Sequence, residues 1–266
     1  MTNKKIGFIG CNNMNGAILQ GALKSNVIAK ENVFVYDISP IVMERMKSLG
    51  VNVVESNKAL CEACDLIILG TKPHHVEEAI KQCQEGFDGK ALVSVAAGLS
   101  IAHLKKLTKG KTRILRTMPN TPAMVGEGVS VFCVETDLLE EEKAEVMAIF
   151  EGIGTVEWVE ERLINAVAAI SGSGPAFFSM FVEALGDGGV KNGLPRELAY
   201  QLAAWTMVGT GKMLLETGLH PGQMKDMVSS PGGTTIEGMK ALEKGGLRYA
   251  VIDCVDEATK KAEKLV

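Results

Sequence analysis

Short runs of β-branched and other apolar residues alternate with segments of helical periodicity along the first 160 residues of this 266-residue chain. The runs at 5–9, 32–36, 66–69, 91–95 and 113–115 predict strands, their alternation with helical segments being that of βαβ units. Intervening segments such as 14–24 and 40–49 space their apolar residues by three and four, and so predict helices. This alternation predicts a doubly wound, mostly parallel sheet with right-handed crossovers. Further strands are expected at 128–134 and 154–159, flanking a helix over 140–150.

Near residue 160 the β-branched alternation stops, and long helical patterns follow, punctuated by Gly and Pro at 171–175, 193–195, 218–222 and 229–233. The expectation is an α/β domain over 1–160 and an all-α domain over 161–266. Around Phe177, Phe178, Met180, Phe181, Val182 and Leu185 the pattern is apolar on more than one face. Either a second subunit covers this helix or it is the centre of its own bundle, and periodicity favours neither. Ser171, Ser173 and Glu183 interrupt the apolar stretch 166–185, which argues against a membrane span. The opening residues read as a first strand, not a signal peptide, so a cytoplasmic location is expected.

Net charge is −4 with acids and bases interspersed, and no basic stripe marks a nucleic-acid partner. The six cysteines, Cys11, Cys61, Cys64, Cys83, Cys133 and Cys254, lie in apolar or helical contexts that suit reduced thiols. Cys61 and Cys64 form a CxxC, but with no second CxxC or nearby His pair they read as helix-face thiols before a strand. His74 and His75 read as solvated residues at a helix start. No metal site is expected.

The first strand runs into Gly10, Cys11, Asn12, Asn13, Met14, Asn15 and Gly16, where a Rossmann-like fold puts its phosphate-binding turn. In the G-x-G-x-x-G reading Gly10 makes the tight turn, while Asn12 and Asn15 replace the second and third glycines. Asn is the non-glycine residue that best tolerates positive φ, so Asn12 is expected in a strained or left-handed turn beside the pyrophosphate. Asp37 ends the second strand, where an acid accepts hydrogen bonds from an adenine-ribose diol and favours NADH. Ser39 has a hydroxyl to offer a 2′-phosphate, so NADPH and NADH both stay open. Taken alone, the segment also fits a purely structural turn.

Later motifs are more specific: Lys72-Pro73, Ala96-Ala97-Gly98, Arg116-Thr117-Met118-Pro119-Asn120-Thr121-Pro122, Ser171-Gly172-Ser173-Gly174-Pro175-Ala176, Gly193-Leu194-Pro195-Arg196 and Val228-Ser229-Ser230-Pro231-Gly232-Gly233-Thr234-Thr235-Ile236. In these, in order and along essentially its whole length, the chain resembles the pyrroline-5-carboxylate reductase family. That resemblance implies a dinucleotide-binding domain followed by a helical domain forming an interlocked homodimer, sometimes assembled into larger rings. It implies NAD(P)H-dependent reduction of 1-pyrroline-5-carboxylate to L-proline, the last step of proline biosynthesis. The implied cofactor site comprises Gly10, Cys11, Asn12, Asn13, Met14, Asn57, Thr71, Lys72, Pro73, Ala96, Ala97, Gly98 and Asn120, beside Asp37 and Ser39. The implied substrate site is Ser230, Gly232, Gly233, Thr234 and Thr235. The departure at Asn12 bears on the tightness of cofactor binding rather than on the reaction.

Pro231, Gly232 and Gly233 lead into a helix expected to begin near Thr234, and free amides at a helix N-terminus attract an anion such as a carboxylate. Thr235 offers a hydroxyl to the ring nitrogen, an ordinary N-cap being the alternative. Hydride transfer to an already protonated C=N needs little acid catalysis, and 230–235 holds no His, Lys or Cys. Two other functions compete. A β-hydroxyacid dehydrogenase would carry a lysine on its first interdomain helix, and 171–185 has none. A non-catalytic nucleotide-sensing or scaffold protein would have lost productive binding at Asn12.

Overall fold

A computed structural model of the chain describes residues 4–264. Among them, eight strands form one sheet: β1 (Ile6–Ile9), β2 (Val33–Tyr36), β3 (Asn52–Val53), β4 (Leu66–Leu69), β5 (Ala91–Ser94), β6 (Arg113–Met118), β7 (Gly128–Cys133) and β8 (Gly154–Val159). Their order is β3-β2-β1-β4-β5-β6-β7-β8. Strands β1 to β6 are mutually parallel, and the chain reverses its direction of winding between β1 and β4. In open α/β sheets the crevice outside that switch point receives the ligand. Strand β7 runs antiparallel to β6, and β8 parallel to β7. The link from Met118 to Gly128 is too short for the dozen-residue crossover that a parallel neighbour needs.

Helices α1 (Asn13–Lys24), α2 (Pro40–Ser48), α3 (Asn57–Ala63), α4 (Pro73–Lys81), α5 (Ile101–Leu107) and α6 (Glu140–Glu151) connect the strands. Successive strand residues feed two separate cores, which is why the strands read as unbroken apolar runs. Phe8, Ile68 and Val93 join Ile18, Leu19, Phe132 and Phe150 on one face, while Ile9, Ile67, Leu69 and Leu92 join Leu60, Ile80 and Leu104 on the other. Each such fully buried side chain contributes roughly 1.5–3 kcal/mol. Phe132 and Phe150 meet edge-to-face at 5.1 Å.

All six cysteines are free thiols, five of them buried. Cys61 lies in α3 and Cys64 just past its end, and the Lys90 ammonium donates to both their carbonyls. Burial pushes the Cys64 and Cys133 thiols up to about 12, so both stay protonated at neutral pH. His74 and His75 are exposed in the first turn of α4. Among the described residues no three His, Cys, Asp or Glu side chains form a metal-binding group.

From residue 161 a short 3-10 turn (Glu161–Leu163), α7 (Ile164–Val167) and a π turn (Ala168–Gly172) lead into α8 (Gly174–Lys191). Then come α9 (Arg196–Thr217), α10 (Pro221–Met227), α11 (Thr234–Lys244) and α12 (Leu247–Glu263). Among the described residues, 4–173 with 258–264 make one compact unit, and Gly174–Glu257 makes another. In the second unit α8 packs on α9, and Arg196 bonds Asp187 and Tyr200. Of α8 only Gly174 and Gly186 are buried, while Phe178, Met180 and Leu185 are 60%, 69% and 48% exposed. Its own bundle therefore does not cover this helix. By length and composition alone, the helical run Glu161–Lys191 that contains Ser171, Ser173 and Glu183 is apolar enough to cross a membrane.

Candidate functional site

The end of β1 turns at Gly10, whose φ of +76° is the left-handed region that glycine enters freely. A Cβ there would lie 2.9 Å from the Thr71 methyl and 3.1 Å from the Thr71 amide nitrogen, so the exits of β1 and β4 touch at the switch point. The peptide groups that follow are held on every side. The Gly10 amide donates to the Tyr36 carbonyl at 2.8 Å, and the Cys11 amide donates to Asp37 Oδ2 at 2.7 Å. Arg45 Nη2 donates to the Cys11 carbonyl at 2.8 Å, and Asn15 Nδ2 to the Gly10 carbonyl at 2.7 Å. Neither Arg45 nor the bonding of Asn15 belongs to the sequence reading. Arg45 sits on the second turn of α2, eight residues past Asp37, and only the three-dimensional return of α2 brings it to the turn.

Asn12 is the N-cap of α1, with φ −75° and no side-chain capping bond. The expectation of a left-handed Asn12 is thus corrected. Gly10 alone carries the turn's positive φ, and the Asn12 and Asn13 side chains are exposed. Helix α1 has no acid in its first turn, so its amide end keeps its positive character. That end fits a pyrophosphate: an open helix N-terminus, an uncapped Asn12 and a glycine turn just before it. Asn12 and Asn13 also open onto a cleft of about 850 Å³ along α1, lined by Arg45, Ser48 and the Ala123–Gly126 turn.

Asp37 is half-buried, and its second oxygen accepts the Ser39 amide at 2.9 Å. Ser39 is the N-cap of α2 but makes no side-chain cap bond. At the β4 exit Thr71 Oγ1 is buried without a protein partner, while Lys72 is the exposed N-cap of α4 and Pro73 its first residue. Ala96 and Gly98 are buried and Ala97 half-buried in the loop after β5. Two expected cofactor residues have side chains committed elsewhere. Asn57 is 4% exposed and donates to Gln82 Oε1 at 2.9 Å. Asn120 donates to the Ser171 carbonyl at 3.0 Å and accepts the Val129 amide at 2.8 Å, tying the β6 exit to β7 and to the π turn.

In the second unit, helix α11 begins at Thr234 with Gly233 as its N-cap. A glycine offers no side chain to the first amides, and none caps them. The Gly233 amide itself donates to the Ser230 carbonyl at 3.0 Å, closing the turn at Pro231 and Gly232. Thr235 is half-buried at the second helical position. It is therefore not the N-cap, and the capping alternative for this residue falls away. Ser230 and Thr234 are exposed beside it.

Comparison with known proteins accounts for both units. Residues 161–265 match the family model for pyrroline-5-carboxylate reductase dimerisation, and residues 5–98 match that for coenzyme F420-dependent NADP oxidoreductases. The pyrroline-5-carboxylate reductase of Escherichia coli is 40% identical over 264 residues, covering 98% of each chain. That of Methanosarcina acetivorans is 38% identical, over 100% of this chain and 99% of its own. The crystal structure of a Plasmodium falciparum pyrroline carboxylate reductase with NADP bound superposes with a TM-score of 0.91 at 35% identity, over 100% of this chain and 99% of that one. With identity of this order along its full length, the chain belongs to the pyrroline-5-carboxylate reductase family.

Proposed function

We propose that the chain reduces 1-pyrroline-5-carboxylate to L-proline with NADPH or NADH, as a cytoplasmic homodimer, a larger ring of such dimers being the alternative assembly. Residues 1–160 would hold the cofactor, and 161–266 the substrate and the partner subunit. The observation that carries the reading is co-linearity: a relative named for this reaction matches 98% of the chain, nucleotide turn and substrate loop included.

The amide end of α1 and the Gly10 turn bind the pyrophosphate, with Thr71 to Pro73, the 96–98 loop and the Asn120 turn along the rest of the cofactor. When bound, the reduced nicotinamide supplies the hydride. The amides opening α11, with Ser230 and Thr234, hold the substrate carboxylate. The Thr235 hydroxyl hydrogen-bonds the ring nitrogen and so orients the imine carbon. Since the substrate nitrogen arrives protonated, no side chain has to deliver a proton during hydride transfer. The exposed apolar face of α8 supports pairing of two chains, because Phe178, Met180 and Leu185 are too many apolar side chains to leave in water.

Purified protein is incubated with pyrroline-5-carboxylate and either reduced cofactor, and in parallel with a β-hydroxy acid and the oxidised one. The reading predicts cofactor oxidation matched by proline formation. Oxidation of the hydroxy acid, or inertness toward pyrroline-5-carboxylate with both cofactors, overturns it.

A further inference from the structure

The third glycine of a G-x-G-x-x-G turn lets the helix pack closely on the strands behind it. Here that position is Asn15, 1% exposed. Its Nδ2 lies 2.7 Å from the Gly10 carbonyl oxygen, 3.2 Å from that of Ile68 and 3.3 Å from that of Ile9. Three acceptors around one nitrogen settle the orientation of the amide, since Oδ1 in its place would face carbonyl oxygens. The side chain thus bridges the last turns of β1 and β4 at the switch point.

The room for this larger residue comes from across the interface. A Cβ at Gly70 would stand 2.3 Å from Asn15 Cγ and 2.4 Å from both its Nδ2 and Oδ1. These atoms cannot swing aside without giving up their bonds to the strand ends. Gly70 in turn donates its amide to the Ile9 carbonyl at 2.9 Å, so the backbone on both sides of the contact is fixed.

We infer that Asn15 and Gly70 form a matched pair, in which the missing side chain at 70 admits an amide at 15, and that Asn15 is a positioning residue for the phosphate-binding turn. With Tyr36, Asp37 and Arg45 it satisfies both peptide groups of Gly10 and Cys11. The turn is therefore shaped before any ligand arrives, and binding does not have to order it. This role rests on the cofactor site proposed above.

The test uses full-length parent, Asn15→Gly, Gly70→Ala and the double variant, with melting temperature, NADPH and NADH titration, and steady-state kinetics on each. Asn15→Gly should weaken cofactor binding about tenfold, as expected for losing a buried amide's bonds. Its kcat at saturating cofactor and its KM for pyrroline-5-carboxylate should stay within about twofold of the parent's. Gly70→Ala should lower the melting temperature sharply, or prevent folding. The double variant should recover the melting temperature, because glycine at 15 makes space for the methyl, but not the cofactor affinity, because the bonds stay lost. Asn15→Gly binding cofactor as tightly as the parent overturns the positioning role. Gly70→Ala as stable as the parent, or a double variant no more stable than Gly70→Ala, overturns the pairing. A parent that binds neither cofactor overturns the site reading and this inference together.

Discussion

Asp37 holds the backbone amide of Cys11 at 2.7 Å with one carboxylate oxygen while the other takes the amide of Ser39 at 2.9 Å. An acid at the end of β2 that sequence reasoning assigns to a ribose diol is also a brace between the phosphate-binding turn and the start of α2.

The brace predicts how Asp37→Ala behaves. Two half-buried amides lose their acceptor, at a cost of about 1–3 kcal/mol in local order. Affinity for NADH and NADPH should fall together, by roughly tenfold, in direct titrations of the folded variant. A loss confined to NADH would assign the carboxylate to the ribose alone.

Asn12→Gly should do little. The φ of −75° is not the left-handed region that favours glycine, and the side chain makes no cap bond that would be lost. Replacing an Asn N-cap by Gly costs only a few tenths of a kcal/mol. Cofactor affinity should stay within about threefold of the parent's, and a tenfold tightening would contradict this account of the turn.

The Arg113–Glu142 pair gives a pH-dependent prediction. Arg113 Nη2 and Nε reach the two Glu142 oxygens at 2.5 and 2.8 Å, and the Leu139 amide adds a third bond at 2.9 Å. Burial raises the Glu142 pKa, but the Arg113 bonds and the Leu139 amide outweigh it and hold the carboxyl below its ordinary 4.5. A depressed carboxyl stabilises the fold fully above its unfolded value, and that contribution is lost as pH falls through the folded value. Arg113→Met should therefore cost about 3 kcal/mol of unfolding free energy at neutral pH, because it strands a buried carboxylate. Denaturant titrations should show the gap to the parent narrowing below pH 4.5. A gap that stays constant into that range would refute the assignment.

Much of this architecture was legible because buried strands write themselves as apolar runs: the segment at 66–69 coincides with β4, all four of whose residues are buried. Strand β3, only Asn52–Val53, is too short to carry any period. The reversed direction of β7 was legible in principle, from the shortness of the link between Met118 and Gly128. The interior of the turn was not. A motif comparison registers Asn15 as a missing glycine, yet its meaning depends on Gly70, fifty-five residues away in sequence, and on carbonyls from two strands. Arg45 and Asn120 likewise act through contacts that no local spacing encodes.

Thr235, proposed to orient the substrate, sits at the second position of α11 behind a glycine N-cap. Its most direct test measures proline formation, cofactor affinity and melting temperature on one preparation each of the parent and Thr235→Val, which keeps the side-chain shape and removes the hydroxyl. Loss of one hydrogen bond to a charged nitrogen should cost about 1.5–3 kcal/mol, or roughly ten- to a hundredfold in kcat/KM for pyrroline-5-carboxylate, with cofactor affinity and melting temperature nearly unchanged. Undiminished turnover in a folded Thr235→Val enzyme would contradict the proposed role of Thr235.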